Sequence, residues 1–245
     1  MPSIKLVSEC NDFLKDCGFP YAICGGYALE LFLNKKIRTH GDIDITVFEE
    51  NKADIIRFIM DNNWNVYQYL PGGIPGVSGS LRLVLTEDDN EVLSPNLLVA
   101  LKPGCSLFKI DPKPGEDNIF NHKILSDKQM NFDFMEIIFN NQKDDKFVFW
   151  PFTSRGKNIT RELNKAVMYN ESIPYLSPEV LLFIMAPPEY FDSDYHRDKN
   201  CIDFESVMPY LPDERREWLI NALEKVYQDG HRWLEPLRGY TQGSR

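Results

Sequence analysis

The sequence predicts an α+β fold, with a β-sheet and flanking helices in residues 1–150 and a mainly helical C-terminal domain in residues 151–245. Two observations support this division. Strand-like and helical runs alternate before residue 150, whereas helical patterns dominate after Ser177. The chain has 245 residues and a hydrophobic content of 43%, which is enough for a sizeable core.

Apolar periodicity and turn residues mark the elements of the N-terminal part. Residues 3–17 predict an amphipathic helix, 21–24 a short buried strand, 43–48 an alternating strand and 52–62 another amphipathic helix. The pair Gly25-Gly26 opens a helix, because apolar residues recur at helical spacing after it.

The later elements follow the same rules. Further strands are predicted at 64–70, 81–85, 97–101 and 132–139, with a flexible Gly/Pro loop at 71–80 and no regular pattern around 150–175. Helices are predicted at 178–186, 198–208 and 213–228. The first of them has Ser177 at its N-cap and Pro178 at its first position.

Charge and composition argue against several classes of function. The net charge of −10 does not suit a protein that grips nucleic acid backbones, which needs a basic face. The first ten residues contain no apolar h-region, and no run of about 18 apolar residues occurs, so we expect neither a signal peptide nor a membrane span. The five cysteines have no metal-binding spacing, so we expect free thiols and a cytoplasmic location.

The Gly25-Gly26 pair is a candidate phosphate-binding turn. Glycine lets backbone N–H groups approach a phosphate closely, and the start of a helix adds partial positive charge. An isolated Gly-Gly pair more often marks a tight turn that binds nothing, because glycines occur in turns of every kind.

Asp42 and Asp44 form a candidate metal site. Side chains on a strand alternate between faces, so the two carboxylates point the same way while Ile43 points to the other side. Paired carboxylates favour a cation between them, and oxygen ligands suit Mg²⁺. The alternative is the solvated acidic face of an edge strand. Combined with Gly25-Gly26, the pair indicates a phosphate site and a metal site at one end of a sheet.

These residues resemble a known motif. The pattern GGxA followed by Arg-x-His-x-Asp-x-Asp resembles the nucleotidyltransferase superfamily, in its aminoglycoside/lincosamide adenylyltransferase-like branch. The matching positions are Gly25, Gly26, Ala28, Arg38, His40, Asp42 and Asp44. The resemblance continues, in the order of the family's elements, through most of the chain. It implies a nucleotidyltransferase-like mixed sheet flanked by helices.

The resemblance also implies an activity. A nucleoside monophosphate would pass from a nucleoside triphosphate to a hydroxyl of a small acceptor, and the acidic surface allows that acceptor to be cationic. Two Mg²⁺ ions held by Asp42 and Asp44 would lower the pKa of the nucleophile and stabilise the leaving oxygen. A third carboxylate is expected as metal ligand or general base. The resemblance to the branch favours Glu136 for this role, whereas the broader apolar-Asp-apolar pattern of the superfamily would select Asp133. The two lie three positions apart on one predicted strand, so only one of them reaches the site.

Three basic or titratable residues are further candidates. Arg38 would hold phosphate, and His40 would orient the loop or a carboxylate, although both also suit capping of a turn. Lys199 matches a family position and would reach the triphosphate, or it is a solvated lysine in a charge-rich run. The chain departs from the family pattern at Trp150-Pro151 and at Asn200, which bears on acceptor and substrate geometry but not on the metal motif.

Two other functions stay open at this point. The fold also suits a protein-modifying nucleotidyltransferase of the toxin–antitoxin type and a catalytically silent nucleotide-binding protein. A silent protein would be expected to lose a metal carboxylate, and the presence of both Asp42 and Asp44 favours activity. The sequence does not predict the oligomeric state.

Overall fold

The computed structural model describes residues 2–70, 78–87, 97–125, 131–148, 159–187 and 194–240. The helices are α1 (Pro2–Leu14), α2 (Gly25–Leu33), α3 (Lys52–Asp61), α4 (Leu163–Ala166), α5 (Pro178–Ile184), α6 (Asp194–Val207), α7 (Asp213–Val226) and α8 (Leu234–Gly239). The strands are β1 (Tyr21–Cys24), β2 (Asp44–Phe48), β3 (Asn65–Tyr69), β4 (Ser78–Leu83), β5 (Leu97–Leu101), β6 (Phe108–Pro112), β7 (Ile119–Ile124), β8 (Phe134–Lys143), β9 (Lys146–Val148), β10 (Thr160–Glu162), β11 (Val167–Asn170) and β12 (Ile173–Leu176). None of the helices in these segments combines the length and the apolar character needed to cross a membrane.

The chain divides into two compact units. The first comprises Met1–Tyr27 and Arg38–Asn141, and the second comprises Ala28–Ile37 and Gln142–Arg245. Most of helix α2 therefore groups with the C-terminal residues. The domain boundary that the sequence places at residue 150 stays a prediction.

The strands of the first unit form a mixed sheet. Their order is β1-β2-β8-β5-β3-β4-β7-β6. Strands β2 and β8 are parallel, and the other neighbours in this order are antiparallel. The parallel register pairs Asp44 with Glu136 at the start of both strands and Phe48 with Asn140 further along. The predicted α+β fold with a mixed sheet is confirmed.

Side chains from the antiparallel part of this sheet form an aromatic-rich core cluster. Its buried members are Tyr67, Tyr69, Leu81, Val99, Leu101, Leu107, Phe108 and Phe134. Because they come from five strands and one adjoining loop, their burial holds the antiparallel part of the sheet together. Helix α3 adds Ile55, Ile56 and Ile59, which are fully buried, as its predicted apolar face requires.

Three segments of the first unit differ from the sequence prediction. The sequence prediction lacks strands β6 and β7, because in each of them only a few apolar residues alternate with polar or charged ones. A Pro-Gly turn between two short alternating runs is nevertheless a hairpin signal. Residues 78–80 fall in the predicted loop 71–80, yet they pair with β7. Small residues such as Gly79 carry no apolar pattern, so only the backbone pairing shows that β4 begins at Ser78. Residues 71–77 lie outside the described residues.

The second unit contains short strands before its helices. Around 150–175, where the sequence shows no regular pattern, β11 and β12 form an antiparallel hairpin, and Glu171 in its turn has a φ of 54°. The predicted N-cap position of α5 is correct, but the Ser177 hydroxyl makes no capping hydrogen bond. From Pro178 onward the unit is mainly helical, as the sequence predicts.

A buried ion network joins β10, α5 and α7 within the second unit. Arg161 Nη2 donates to Glu179 Oε1 over 2.8 Å, and Arg215 Nη1 donates to the same oxygen over 2.5 Å. The Arg161 side chain is 3% exposed and that of Glu179 is fully buried. Arg161 also makes a bidentate pair with Glu214, with both N–O distances at 2.8 Å. Removal of one partner would leave a buried charge without compensation, so the network fixes these elements relative to one another.

We expect the Arg161–Glu214 pair to make stability depend on pH in acid. The hydrogen bond from Arg161 lowers the pKa of Glu214 from 4.5 to about 2, so between these values the unfolded state binds the proton that the folded state releases. The stabilisation is therefore complete above the unfolded pKa and is lost as the pH falls through the folded one. Because the Glu214 side chain is 55% exposed, solvent screens the pair. Glu214→Gln should lower the free energy of unfolding by about 1 kcal/mol at neutral pH.

Urea unfolding of both proteins across the acid range checks this expectation. The difference in unfolding free energy should shrink toward zero as the pH approaches the folded pKa of Glu214. Glu217→Gln, an exposed carboxylate on the same helix, serves as the control and should leave the profile of the wild type unchanged. A difference between the wild type and Glu214→Gln that stays constant with pH would contradict the assignment.

Candidate active site

Three carboxylates converge where β2 and β8 begin. One ligand oxygen from each of Asp42, Asp44 and Glu136 lies within 4.8 Å of the other two, and all three residues are half-buried. The parallel register sets Asp44 beside Glu136, and Glu136 N donates to the carbonyl of Ile43 over 2.9 Å. The backbone ladder itself therefore assembles the cluster.

The predicted alternation of this strand explains the direction of the aspartates. Ile43 and Ile45 are fully buried, whereas Asp42 and Asp44 on either side of Ile43 are half-buried. Beyond the carboxylates the same strands turn inward: Asn140 Nδ2 donates to Thr46 Oγ1 over 2.7 Å, and both residues are buried. The half-buried carboxylates thus lie next to a buried stretch of both strands.

The structure places Asp133 outside the carboxylate cluster. Strand β8 begins at Phe134, so Asp133 precedes it, and the prediction that both carboxylates lie on one strand is wrong. The carbonyl of Asp133 accepts a hydrogen bond from Lys102 N over 2.8 Å. Its carboxylate contributes to the raised pKa of Cys105, for which burial is the larger cause. Of the two candidates for the third carboxylate, the geometry favours Glu136.

The two glycines leave room for the side chains of the site. A Cβ on Gly25 would lie 2.0 Å from Asp44 Oδ2, and the φ of Gly25 is +61°. A Cβ on Gly26 would lie 2.2 Å from His40 Cε1 and 2.8 Å from Arg38 Nη2. Any larger residue would displace these groups, so the Gly-Gly pair lets Asp44, His40 and Arg38 pack directly against the start of α2.

His40 and Arg38 lie over the start of α2. His40 is 5% exposed, and its ring contacts that of Tyr27 with 4.4 Å between the centroids. Arg38 Nη1 donates to the carbonyl of Thr39 over 3.3 Å. The contact with the Gly-Gly turn accounts for both residues structurally, and their predicted roles toward phosphate or a carboxylate stay predictions.

The remaining predicted positions lie in the second unit or outside the described residues. Lys199 is a half-buried residue of helix α6, and its predicted contact with a triphosphate stays a prediction. Asn200, where the chain departs from the family pattern, is 3% exposed and donates to the carbonyl of Met185 over 3.4 Å. Trp150 and Pro151 are not among the described residues.

Two neighbours of the cluster escape prediction from the sequence. Tyr69 Oη donates to Glu136 Oε1 over 2.8 Å, a contact between residues that are 67 positions apart. Cys24 is the antiparallel partner of Asp44 in the ladder and is 2% exposed. Burial, and then the nearby Asp44 and Glu136 carboxylates, hold the pKa of its thiol well above the usual range. Both contacts depend on sheet order, which no local pattern in the sequence encodes.

The N-terminal part of the chain matches a family model. Residues 6–68 match the family described as aminoglycoside-2''-adenylyltransferase. This segment runs from α1 to β3 and includes the Gly-Gly pair, Arg38, His40 and both aspartates, but not Glu136. No curated protein sequence matches the chain significantly.

Several solved structures are similar at low sequence identity. The solution structure of the antibiotic-resistance factor ANT(2'')-Ia has a TM-score of 0.48 and 13% identity, covering 94% of this chain and 96% of its own. The lincomycin-bound lincosamide adenylyltransferase LnuA has a TM-score of 0.45 and 15% identity, covering 83% of this chain and 96% of its own. An antigenic nucleotidyltransferase-like protein from Paracoccidioides brasiliensis has a TM-score of 0.45 and 14% identity, covering 97% and 92%.

TM-scores below 0.5 do not establish a common fold. The similarity to adenylyltransferases therefore depends on the family match over residues 6–68. That match confirms the predicted resemblance for the segment that carries the motif, whereas the resemblance of the later residues stays a prediction. Residues 6–68, which carry the Gly-Gly pair and both aspartates, are therefore similar to the aminoglycoside-2''-adenylyltransferase family.

Proposed function

We propose that this protein is a metal-dependent nucleotidyltransferase that moves a nucleoside monophosphate from a nucleoside triphosphate to a hydroxyl of an aminoglycoside- or lincosamide-like molecule. The observation that carries the proposal is the convergence of Asp42, Asp44 and Glu136 beside the Gly-Gly start of α2. The family match over residues 6–68 supports the class of reaction. All five cysteines are free, which fits a reducing compartment and the cytoplasmic location that we propose.

The carboxylate cluster fits a hard cation. Three carboxylates this close repel one another unless a cation or a proton lies among them. Oxygen donors of this kind suit Mg²⁺, so Asp42, Asp44 and Glu136 would hold it. When bound, Mg²⁺ supplies stabilisation of the charge on the triphosphate and activation of the attacking hydroxyl.

The start of α2 would bind the triphosphate. The first N–H groups of a helix have no partner within the helix, and they attract anions. Arg38 lies against Gly26 at this point, and its planar guanidinium can donate to two phosphate oxygens at once. His40 supports this arrangement from the buried side, because its ring packs on Tyr27.

The transfer step uses the carboxylates as proton acceptors. The acceptor hydroxyl oxygen would bond to the α-phosphorus, while the bond from that phosphorus to the pyrophosphate oxygen breaks and pyrophosphate leaves. The hydroxyl proton would pass to a carboxylate of the cluster, which acts as general base. The chain's net charge of −10 favours the approach of a cationic acceptor.

We expect the double substitution Asp42→Asn with Asp44→Asn to abolish metal-dependent nucleotide binding. The rate of nucleoside monophosphate transfer should fall by about 100-fold or more. Calorimetry with ATP and with GTP, each with and without Mg²⁺, measures the binding. The melting temperature should stay the same or rise, because repulsion between the two carboxylates is relieved. A variant that fails to fold would show that the pair is structural instead.

A matched pair of variants tests the third carboxylate. Glu136→Gln should lose metal-dependent binding, whereas Asp133→Asn, outside the cluster, should bind as the wild type does. The reverse outcome would assign the role to Asp133. If the wild type binds no nucleotide in a metal-dependent way, the proposed function fails.

Gly26→Ala should destabilise the protein and weaken nucleotide binding. The added Cβ meets the ring of His40, which is buried and cannot withdraw without repacking, at a cost of about 1–3 kcal/mol. Gly239→Ala is the control, because a Cβ there meets no atom within 4 Å, and it should leave binding unchanged. Urea unfolding and calorimetry measure the two effects. Equal unfolding free energies for the two variants would contradict the packing of the site.

Labelled nucleotide and a panel of aminoglycosides and lincosamides test the acceptor class. We expect metal-dependent transfer of label to at least one of these compounds, and no transfer by the Asp42→Asn, Asp44→Asn variant. Mass spectrometry of the product should show the added nucleoside monophosphate. Label that appears on a protein, with none on the small molecules, would overturn the proposed acceptor class in favour of a protein-modifying transferase.

A further inference from the structure

We propose that Tyr69 is a positioning residue, whose hydroxyl holds the Glu136 carboxylate in the orientation that meets Asp42 and Asp44. The inference rests on the proposed function, because it assigns Tyr69 a part in the metal site of that function. The hydroxyl does not itself touch the reacting atoms. It acts through Glu136.

The contact reaches across the sheet. Tyr69 Oη donates to Glu136 Oε1 over 2.8 Å. Tyr69 is the last residue of β3, Glu136 lies near the start of β8, and strand β5 runs between them. A glutamate side chain has several rotatable bonds, so the backbone ladder alone does not fix where its carboxylate points. A hydrogen bond to one oxygen fixes the rotation of the carboxylate and with it the position of the second oxygen.

Tyr69 is itself held firmly. Its side chain is 5% exposed and belongs to the aromatic-rich core cluster. The ring of His122 meets the Tyr69 ring in an edge-on arrangement, with 5.5 Å between the centroids. His122 is also 5% exposed, and burial lowers its pKa, so it backs the tyrosine as a neutral ring. The donor therefore has a fixed position, which is what an orienting group needs.

The same strand offers a matched comparison. Tyr67 lies two positions earlier, so its side chain is on the same face, and it is 6% exposed in the same cluster. Its ring meets the ring of Phe120 edge-on, with 5.8 Å between the centroids. Tyr67→Phe and Tyr69→Phe each remove one hydroxyl from one cluster, but only the second touches the carboxylate site.

Binding of Mn²⁺ alone, followed by electron paramagnetic resonance of the free ion, tests the proposal without reference to activity. We expect Tyr69→Phe to raise the Mn²⁺ dissociation constant about 10-fold, as loss of a group that orients a metal ligand typically does. Tyr67→Phe should stay within about two-fold of the wild type.

The outcomes separate this inference from the proposed function. If the wild type binds no Mn²⁺, the metal site of the proposed function fails and the inference with it. If the wild type binds but Tyr69→Phe binds equally well, the positioning role alone is overturned. An equal loss of Mn²⁺ affinity in both Phe variants would show general loosening of the core and would also overturn the positioning role.

Discussion

Strands β2 and β8 pair in parallel, and the candidate site depends on this pairing. The register sets Asp44 beside Glu136, and a backbone hydrogen bond from Glu136 N to Ile43 O closes the ladder at the end where the carboxylates lie. A slip of one residue would turn the Glu136 side chain to the opposite face. The interior packing of Met135 and Ile137, the neighbours of Glu136 on β8, opposes such a slip, because it would expose both of them. The repulsive group of carboxylates is thus held together by burial of apolar neighbours.

Close packing at the Gly-Gly turn complements this ladder. Gly25 and Gly26 admit Asp44 Oδ2 and the His40 ring to within distances that a Cβ would block. One glycine pair therefore serves two purposes: it lets His40 and Arg38 pack against the first turn of α2, and it brings one of the carboxylates against that turn. Tyr69 adds a third constraint from the core side of the sheet. The geometry of the cluster is thus defined by backbone pairing, by two glycines that have no side chain, and by one tyrosine hydroxyl.

The part of the site that follows from local pattern could be predicted from the sequence. Asp42 and Asp44 share a face because strand side chains alternate, and the Gly-Gly pair marks the start of a helix. Glu136 could not be separated from Asp133, since the choice depends on the register of β8 against β2, which apolar runs do not encode. Tyr69 could not be predicted as a neighbour of Glu136, because the contact requires the order of β8, β5 and β3 in the sheet.

The fold likewise contains elements that local patterns predict and elements that depend on long-range pairing. Helix α3 and strands β2, β3, β5 and β8 have clear apolar patterns, and each was predicted to within a few residues. Strands β6 and β7 carry too few apolar residues to stand out, and the start of β4 consists of small residues. These strands are secured by pairing with one another and by the aromatic-rich core cluster, which are long-range interactions.

The outermost hairpin, formed by β6 and β7, has a practical consequence. It ends the strand order of the first unit, and its connecting turn includes Gly115, where added side-chain atoms meet nothing within 4 Å. The ladder between β2 and β8 does not involve this turn. We therefore expect the chain to accept a peptide inserted at this turn, such as an affinity tag or a fluorophore-binding sequence, which would allow the protein to be immobilised away from its carboxylates.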